Sequence, residues 1–202
     1  MTATRDDVVM QKPEDLRFLV PVFHTPNACA GAATAFLLRR IAYRAGAYAP
    51  GIQEILFHEL NTSREGGSLD KVQRWFQTRV MSLHELGYRL QCRRVATPTA
   101  AIIDWVKQGK GYRGAMIPTA FQKLHPTPGS AGGEIDDSSV AHAVGITVDR
   151  LEPKSDEELI QIDPWPGVLD DAPDRGKLSP ALEAAHREKN FHALVYFWTG
   201  WS

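Results

Sequence analysis

Residues 140–149, VAHAVGITVD, carry the clearest secondary-structure signal in the sequence. Branched apolar residues at positions 144, 146 and 148 alternate with small residues, and this period of two predicts a β-strand. His142 starts the same alternation, so we expect its imidazole on the face that carries Val144. Residues 125–139, rich in glycine, proline and serine, predict a long loop just before the histidine.

Other strands are predicted on both sides of this one. A charged turn after residue 149 leads to an apolar run that Pro164 terminates. We expect these two strands to pair as a hairpin. The other predicted strands, recognised by alternation or by apolar runs, cover residues 18–23, 88–93, 114–121, 159–163 and 191–198.

Helical periodicity dominates the first ninety residues. Cys29 falls in the first turn of one predicted helix, for which Asn27 is the expected N-cap. The predicted helices cover residues 27–46, 51–60, 68–87 and 97–109, with a short one from residue 179. Because helices come first and a mainly antiparallel sheet second, the predicted fold class is α+β. We expect a single domain, residues 1–202, with a helical half at about 18–87 and a sheet half at about 88–202.

The composition is that of a soluble globular protein. The 202 residues are 43% hydrophobic and 23% charged, with a formal net charge of −1, which offers no case for a nucleic-acid or membrane partner. The two cysteines, Cys29 and Cys92, are too few for a disulfide framework and suit a reducing compartment. Cys92 is expected in the core. Without a signal-peptide pattern or a long apolar segment, a cytoplasmic location is predicted, with leaderless export left open.

The neutral average hides an uneven distribution of charge. Residues 134–174 hold twelve acidic and two basic residues, a balance of −10, and the rest of the chain carries +9. Two interpretations are open. The acidic residues either solvate themselves and pair with the basic half, or they bias the rim of a cleft towards cationic substrates.

Three residues suit nucleophilic catalysis by their positions. At the start of a helix, unpaired backbone N–H groups and the helix dipole stabilise the thiolate of Cys29. His142, at the start of a strand, is placed to take the thiol proton and return it to a leaving group. Asp163, at the end of the next strand, is placed to accept a hydrogen bond from the histidine and fix its tautomer. Each residue also has a purely structural interpretation. Cys29 would be a small buried hydrophobe, His142 a core histidine and Asp163 a turn residue.

The motifs around these residues resemble a known family. Residues 27–38, NACAGAATAFLL, look like the nucleophile helix of papain-like cysteine peptidases, especially the bacterial branch of the bacteriocin double-glycine leader peptidases. Residues 140–167 look like that family's second half, in which a strand opened by histidine precedes a strand ending in Asp-Pro-Trp. The resemblance implies a papain-like fold, with Cys29 as nucleophile, His142 as general base and acid, and Asp163 as the residue that orients the histidine.

The resemblance also bears on how an oxyanion would be stabilised. The family usually places a glutamine about six residues before the cysteine, and here that position is Phe23. Asn27 or His24 is the candidate donor in its place, and Trp165 is a candidate for the substrate rim. The spacing, 113 residues from cysteine to histidine and 21 from histidine to aspartate, also resembles phytochelatin synthase-like transpeptidases.

Three functions therefore stay open from the sequence. The first is a cysteine hydrolase that cleaves an amide or peptide bond through a Cys-His-Asp triad and an acyl-enzyme intermediate. Its substrate would be a peptide or small amide, and a cationic one if the acidic residues attract substrates to the cleft. The second is an acyltransferase or transpeptidase with the same triad, and the third a catalytically inactive papain-like binding module. No zinc-peptidase, Cys-x-x-Cys or phosphate-loop pattern is present, so neither a metal nor another cofactor is predicted. The oligomeric state stays open.

Overall fold

Three helices and five strands make up most of the part of the chain that the structure, a computed structural model, describes. That part comprises residues 29–47, 68–85, 89–120, 141–149, 158–162, 182, 186 and 192–199. The elements are α1 (Cys29–Arg44), α2 (Leu69–Glu85), β1 (Leu90–Ala96), α3 (Thr99–Gln108), β2 (Arg113–Ala120), β3 (Ala141–Asp149), β4 (Glu158–Ile162) and β5 (His192–Trp198). The predicted strand at 18–23 and the predicted helix at 51–60 lie outside the described residues.

The strands form one five-stranded sheet in the order β1-β5-β2-β3-β4. Every neighbouring pair is antiparallel. The α+β prediction is therefore confirmed, and so is the predicted hairpin of β3 with β4, in which Gly145 pairs with Ile162. The last described strand, β5, lies between β1 and β2, an order that the alternation patterns did not predict.

Helices cover both faces of the sheet, and the alternation along the strands divides the core into two clusters. The cluster on the α1 and α2 face includes Ala143 of β3. The cluster on the α3 face includes Val144 and Ile146, which alternate with it. The predicted alternation of the 140–149 strand is thus confirmed.

Helix α1 approaches the sheet closely because two glycines face it. A Cβ added at Gly145 would stand 3.2 Å from Cγ of Leu37, and one added at Gly114 would stand 3.0 Å from Cδ2 of the same leucine. At the other end of the helix, Arg44 donates from Nε to the Lys110 carbonyl oxygen at 3.1 Å, beside the turn that leads into β2. Helix α1 therefore runs antiparallel to β2 and parallel to β3.

Two boundaries differ from the predictions. Pro98 was expected at the first helical position of α3 but is its N-cap, with φ −54° and ψ 144°. Its extended ψ makes Thr99 the first helical residue. Strand β1 runs three residues further than the alternation indicated, because it pairs with β5 along its whole length, from Leu90 opposite Trp198 to Ala96 opposite His192.

Candidate active site

Cys29 is the first residue of α1, in agreement with the prediction that it lies in the first turn of a helix. The first turn contains no acidic residue, so nothing in it opposes a negative charge on the sulfur. The side chain is buried, with 5% of its surface exposed, and it belongs to the core cluster on the α1 face. Cys29 therefore lies at the start of a helix and in apolar surroundings that exclude most water.

His142 is the second residue of β3 and lies at the end of the sheet where this strand begins. Its side chain is 4% exposed. Across the β2–β3 ladder its register partner is Thr119, so the two side chains share one face of the sheet. The alternation places that face on the α3 side, the same side as Val144.

The direction of α1 brings Cys29 and His142 to the same end of the sheet. Leu37 of α1 lies against Gly145 of β3. From this contact, the helix and the strand both lead back towards their first residues and the site. Cys29 lies eight residues before Leu37, roughly 12 Å along a helix, and His142 lies three residues before Gly145, roughly 10 Å along a strand. The first residues of α1 and β3 therefore lie at about the same position along the strand direction.

The cysteine and the histidine reach this end from opposite layers. Cys29 belongs to the layer of α1, and His142 to the face of β3 that carries Val144. Because β3 begins only one residue earlier, at Ala141, His142 lies in the last two rungs of the β2–β3 ladder.

The other predicted site residues are outside the described residues. These are the third triad candidate, the two oxyanion candidates and the rim candidate: Asp163, Asn27, His24 and Trp165. The chain immediately before the first of them is described. Strand β4 ends at Ile162, which pairs with Gly145 on β3.

The second cysteine has a different character. Cys92 lies on β1 opposite Tyr196, is half-buried, and packs against the cluster on the α1 face. Burial raises the pKa of its thiol to about 12. At neutral pH this thiol is protonated and unreactive, so Cys92 serves as an internal comparison for Cys29.

The described residues form neither a cluster of metal-ligating side chains nor a membrane-spanning helix. Among the described residues, no group of three or more histidine, cysteine, aspartate or glutamate side chains is arranged to hold a metal ion. Within the same segments, no helix combines the length and the apolar character needed to cross a lipid bilayer.

One residue beside the site was not singled out by the sequence. Thr119 lies near the end of β2 and is fully buried, directly across from His142. The sequence pattern predicted its strand at residues 114–121, but a pattern within one strand carries no information about which residue of a neighbouring strand stands opposite. Only the register identifies it.

Comparisons with known proteins concern the fold. No protein-family model and no curated protein matches the sequence. The structure is similar to the peptidase domain of Streptococcus ComA, a bi-functional ABC transporter involved in a quorum-sensing pathway, with a TM-score of 0.46 and 13% identity over 89% of this chain and 97% of that chain. It is also similar to a C39-like peptidase from Bacillus anthracis, with a TM-score of 0.44 and 14% identity over 88% of this chain and 94% of that chain. Both of these proteins are peptidases.

Proposed function

We propose that this chain is a papain-like cysteine hydrolase that cleaves an amide or peptide bond with Cys29 as its nucleophile. The observation that supports the proposal is the common end of the sheet at which α1 and β3 begin. The packing of Leu37 on Gly145 fixes the two elements against each other, so Cys29 and His142 have a constant separation. A nucleophile and its base need such a fixed arrangement.

The chemistry follows from these two groups. His142 takes the proton from the Cys29 thiol, and the thiolate attacks the carbonyl carbon of the substrate. The carbon–nitrogen bond then breaks, the imidazolium gives its proton to the departing amine, and a thioester to Cys29 remains. Water, losing a proton to His142, attacks this thioester, releases the carboxylic acid and restores the thiol.

Asp163 is proposed to orient the histidine. It follows Ile162 directly in the chain, and Ile162 pairs with Gly145. If the antiparallel ladder continued by one residue, Asp163 would stand opposite Val144, on the face that His142 shares. A carboxylate there would accept a hydrogen bond from the ring N–H that faces away from Cys29.

Backbone groups at the start of α1 are proposed to stabilise the oxyanion. Backbone N–H groups at a helix start point outward along the helix axis, and that of Cys29, the first residue of α1, is next to the reacting sulfur. A second donor from Asn27 or His24 would replace the glutamine that this chain lacks. Trp165, two residues after Asp163, is proposed to line the substrate rim.

The proposed substrate is a peptide or small amide, and the charge distribution favours a cationic one. Residues 134–174, which surround His142 and Asp163 in the sequence, carry a net charge of −10. A field of this sign raises the local concentration of positively charged substrates and speeds their association. The reaction type and this preference are separate proposals, since the triad would act on a neutral peptide as well.

The nucleophile is tested with Cys29→Ala, with Cys92→Ala as the matched control. Low-dose iodoacetamide at neutral pH, with the alkylated peptide identified by mass spectrometry, should modify Cys29 at least about tenfold faster than a free thiol, because a thiolate is the reacting form. Against a set of fluorogenic peptide amides, Cys29→Ala should lose turnover and Cys92→Ala should retain it. If Cys29 reacts no faster than a free thiol and Cys29→Ala keeps full activity, the chain is not a cysteine hydrolase.

Acyl transfer is distinguished in the same assay. An acyl-enzyme can be resolved by an amine instead of by water, and the fold alone does not decide between the two. At constant substrate, a hydrolase yields the carboxylic acid whether or not a primary amine is added. An amide product that forms in proportion to the added amine, at the expense of the acid, would identify a transferase.

A further inference from the structure

The hydroxyl of Thr119 is buried beside the proposed base without a hydrogen bond. Thr119 has no exposed surface, and its Oγ1 has no hydrogen-bond partner in the structure. It stands directly opposite His142 in the β2–β3 ladder. Side chains opposite one another in an antiparallel pair have Cβ atoms about 4.5–5.5 Å apart, within reach of a hydroxyl and an imidazole ring.

The other buried threonines of the described segments show that this is an exception. Thr34 bonds to the Tyr196 hydroxyl at 2.7 Å, and Thr147 donates to the Arg113 carbonyl oxygen at 3.0 Å. Thr99 bonds to Nδ1 of the buried His186 at 2.7 Å, so the fold already contains a threonine–imidazole hydrogen bond. Because a valine would fill the space of Thr119 at no polar cost, the unsatisfied hydroxyl calls for a role.

We propose that Thr119 is a positioning residue for His142, whose imidazolium N–H donates a hydrogen bond to the Thr119 hydroxyl after the ring takes the proton of Cys29. This inference rests on the proposed function. The bond uses the ring N–H that faces away from Cys29 and shares it with the carboxylate assigned to Asp163, as three-centre hydrogen bonds do. It holds the ring plane and stabilises the charged form of the imidazole, because a hydrogen bond from a charged donor is stronger than one from a neutral donor.

The described elements packed around the histidine carry other charged and titratable groups. Cys29 approaches from α1, and Asp163 follows β4. Of the charged strand residues, Arg113 begins β2 and Asp149, at the end of β3, pairs with Glu158, so these three lie at the far end of the sheet. Arg93 and Arg94 lie on β1, which two strands separate from β3, and the titratable His192 starts β5 at the same end as His142. The charged residues of α3, Asp104 and Lys107, are exposed. The comparison of Thr119→Val with Thr119→Ser leaves all these groups in place, so a difference between the two variants in the pH dependence is assigned to the hydroxyl.

The experiment compares Thr119→Val with Thr119→Ser, and uses Thr147→Val as the matched control. The rate of Cys29 alkylation by iodoacetamide is followed across the pH range by mass spectrometry, and thermal unfolding is recorded for each protein. Thr119→Val should narrow the pH range in which Cys29 is alkylated rapidly, at both ends and by about one pH unit in total. The reason is that the imidazolium–thiolate pair of His142 and Cys29 is less stable in this variant than in the wild type. Thr119→Ser should restore the wild-type range.

Stability separates a positioning role from a structural one. Thr119→Val removes an unsatisfied hydroxyl, so its Tm should be equal to or above that of the wild type. Thr147→Val, which breaks a hydrogen bond far from His142, should lower Tm and leave the pH range unchanged. If Thr119→Val does not fold, Thr119→Ala takes its place.

Two results would overturn the inference, and they are distinguishable. If Cys29 of the wild type is reactive and Thr119→Val has the wild-type pH range, Thr119 has no positioning role and the proposed hydrolase stands. If Cys29 of the wild type reacts as an ordinary thiol at every pH, the proposed function and this inference fail together.

Discussion

Leu37 of α1 and Gly145 of β3 are in such close contact that a Cβ on the glycine would stand 3.2 Å from Cγ of the leucine. The same leucine meets Gly114 on the neighbouring strand β2. Two adjacent strands thus offer a helix-facing surface without side chains, and the Leu37 side chain of α1 packs directly on it. This contact fixes the position of Cys29 relative to His142 along the strand direction.

Gly145→Ala should therefore weaken activity more than its effect on stability explains. The added methyl group forces α1 away from the sheet by a few tenths of an ångström, at a cost of about 1–3 kcal/mol in the free energy of unfolding. Because catalysis is sensitive to small displacements, we expect kcat to fall about tenfold. Chemical denaturation and turnover of a peptide amide measure the two effects.

The control for this prediction is a glycine without neighbours. Gly46 has φ +69° and nothing within 4 Å of an added Cβ, so Gly46→Ala should cost about 1 kcal/mol through backbone strain and leave kcat unchanged. Leu37→Ala makes room for the methyl group, so combining it with Gly145→Ala should cost at least about 1 kcal/mol less than the sum of the single changes. Additive effects would contradict the contact.

Thr34 and Tyr196 should prove energetically coupled. Their hydroxyls lie 2.7 Å apart in the core and join the helix that carries Cys29 to β5. Thr34→Val or Tyr196→Phe leaves one buried hydroxyl unsatisfied, at a cost of about 1–3 kcal/mol, whereas the double variant removes both and should be little worse than either. Urea denaturation of the four proteins of this cycle measures the coupling. A coupling near zero would show that the hydroxyls do not bond in solution.

Cys92 should make the protein lose stability as the pH rises from 9 to 10. Burial raises the pKa of the folded thiol to about 12, whereas an unfolded thiol ionises near 9.0. The unfolded chain therefore releases this proton first, and the free energy of unfolding should fall by up to about 1.4 kcal/mol per pH unit.

Cys92→Ala should flatten this dependence of urea stability on pH between 9 and 10. Tyr196→Phe is the control, because burial holds the pKa of Tyr196 well above its usual 10.0 and its unfolded form ionises only from about that pH. Between pH 9 and 10, Tyr196→Phe should therefore reduce the slope by only about a third as much as Cys92→Ala does. If the slope of Cys92→Ala equals the wild type's, the thiol is not buried in solution.

A preference for cationic substrates should appear as a salt dependence. Two peptides with the same scissile sequence, one flanked by lysines and the other by glutamates, are compared at about 20 mM and about 300 mM salt. The acidic residues 134–174 should make kcat/KM of the lysine peptide fall several-fold as salt rises, with the glutamate peptide changing little or in the opposite direction. Equal responses of the two peptides would contradict the preference.

Local patterns predicted the elements of this fold better than their arrangement. The helix at residues 68–87 and the strand at 140–149 are found as Leu69–Glu85 and Ala141–Asp149, because their apolar periodicity is regular over many residues. The strand order was beyond such patterns. Alternation fixes which residues of β5 share a face, but the choice of β1 and β2 as its neighbours depends on contacts between distant parts of the chain.

The same division applies to the site. Cys29 and His142 were predicted from their places at the starts of a helix and a strand, and the structure has both at those positions. Thr119 was not predicted, because its relation to His142 is a matter of register between two strands. The character of Cys92 was predicted only as that of a core residue, since a raised pKa follows from surroundings that the sequence does not specify.

The central place of β5 has a consequence for how the protein is made. Residues 192–198 leave the ribosome after all the other described elements, yet they separate β1 from β2 and supply the tyrosine that bonds to Thr34, 162 residues earlier. Until these residues have been synthesised, α1 lacks part of the surface on which it packs, and β1 lacks its partner strand in the described sheet. Contacts of such long range form late and slowly. A nascent chain therefore lacks an assembled sheet around the candidate site until residues 192–198 have been synthesised.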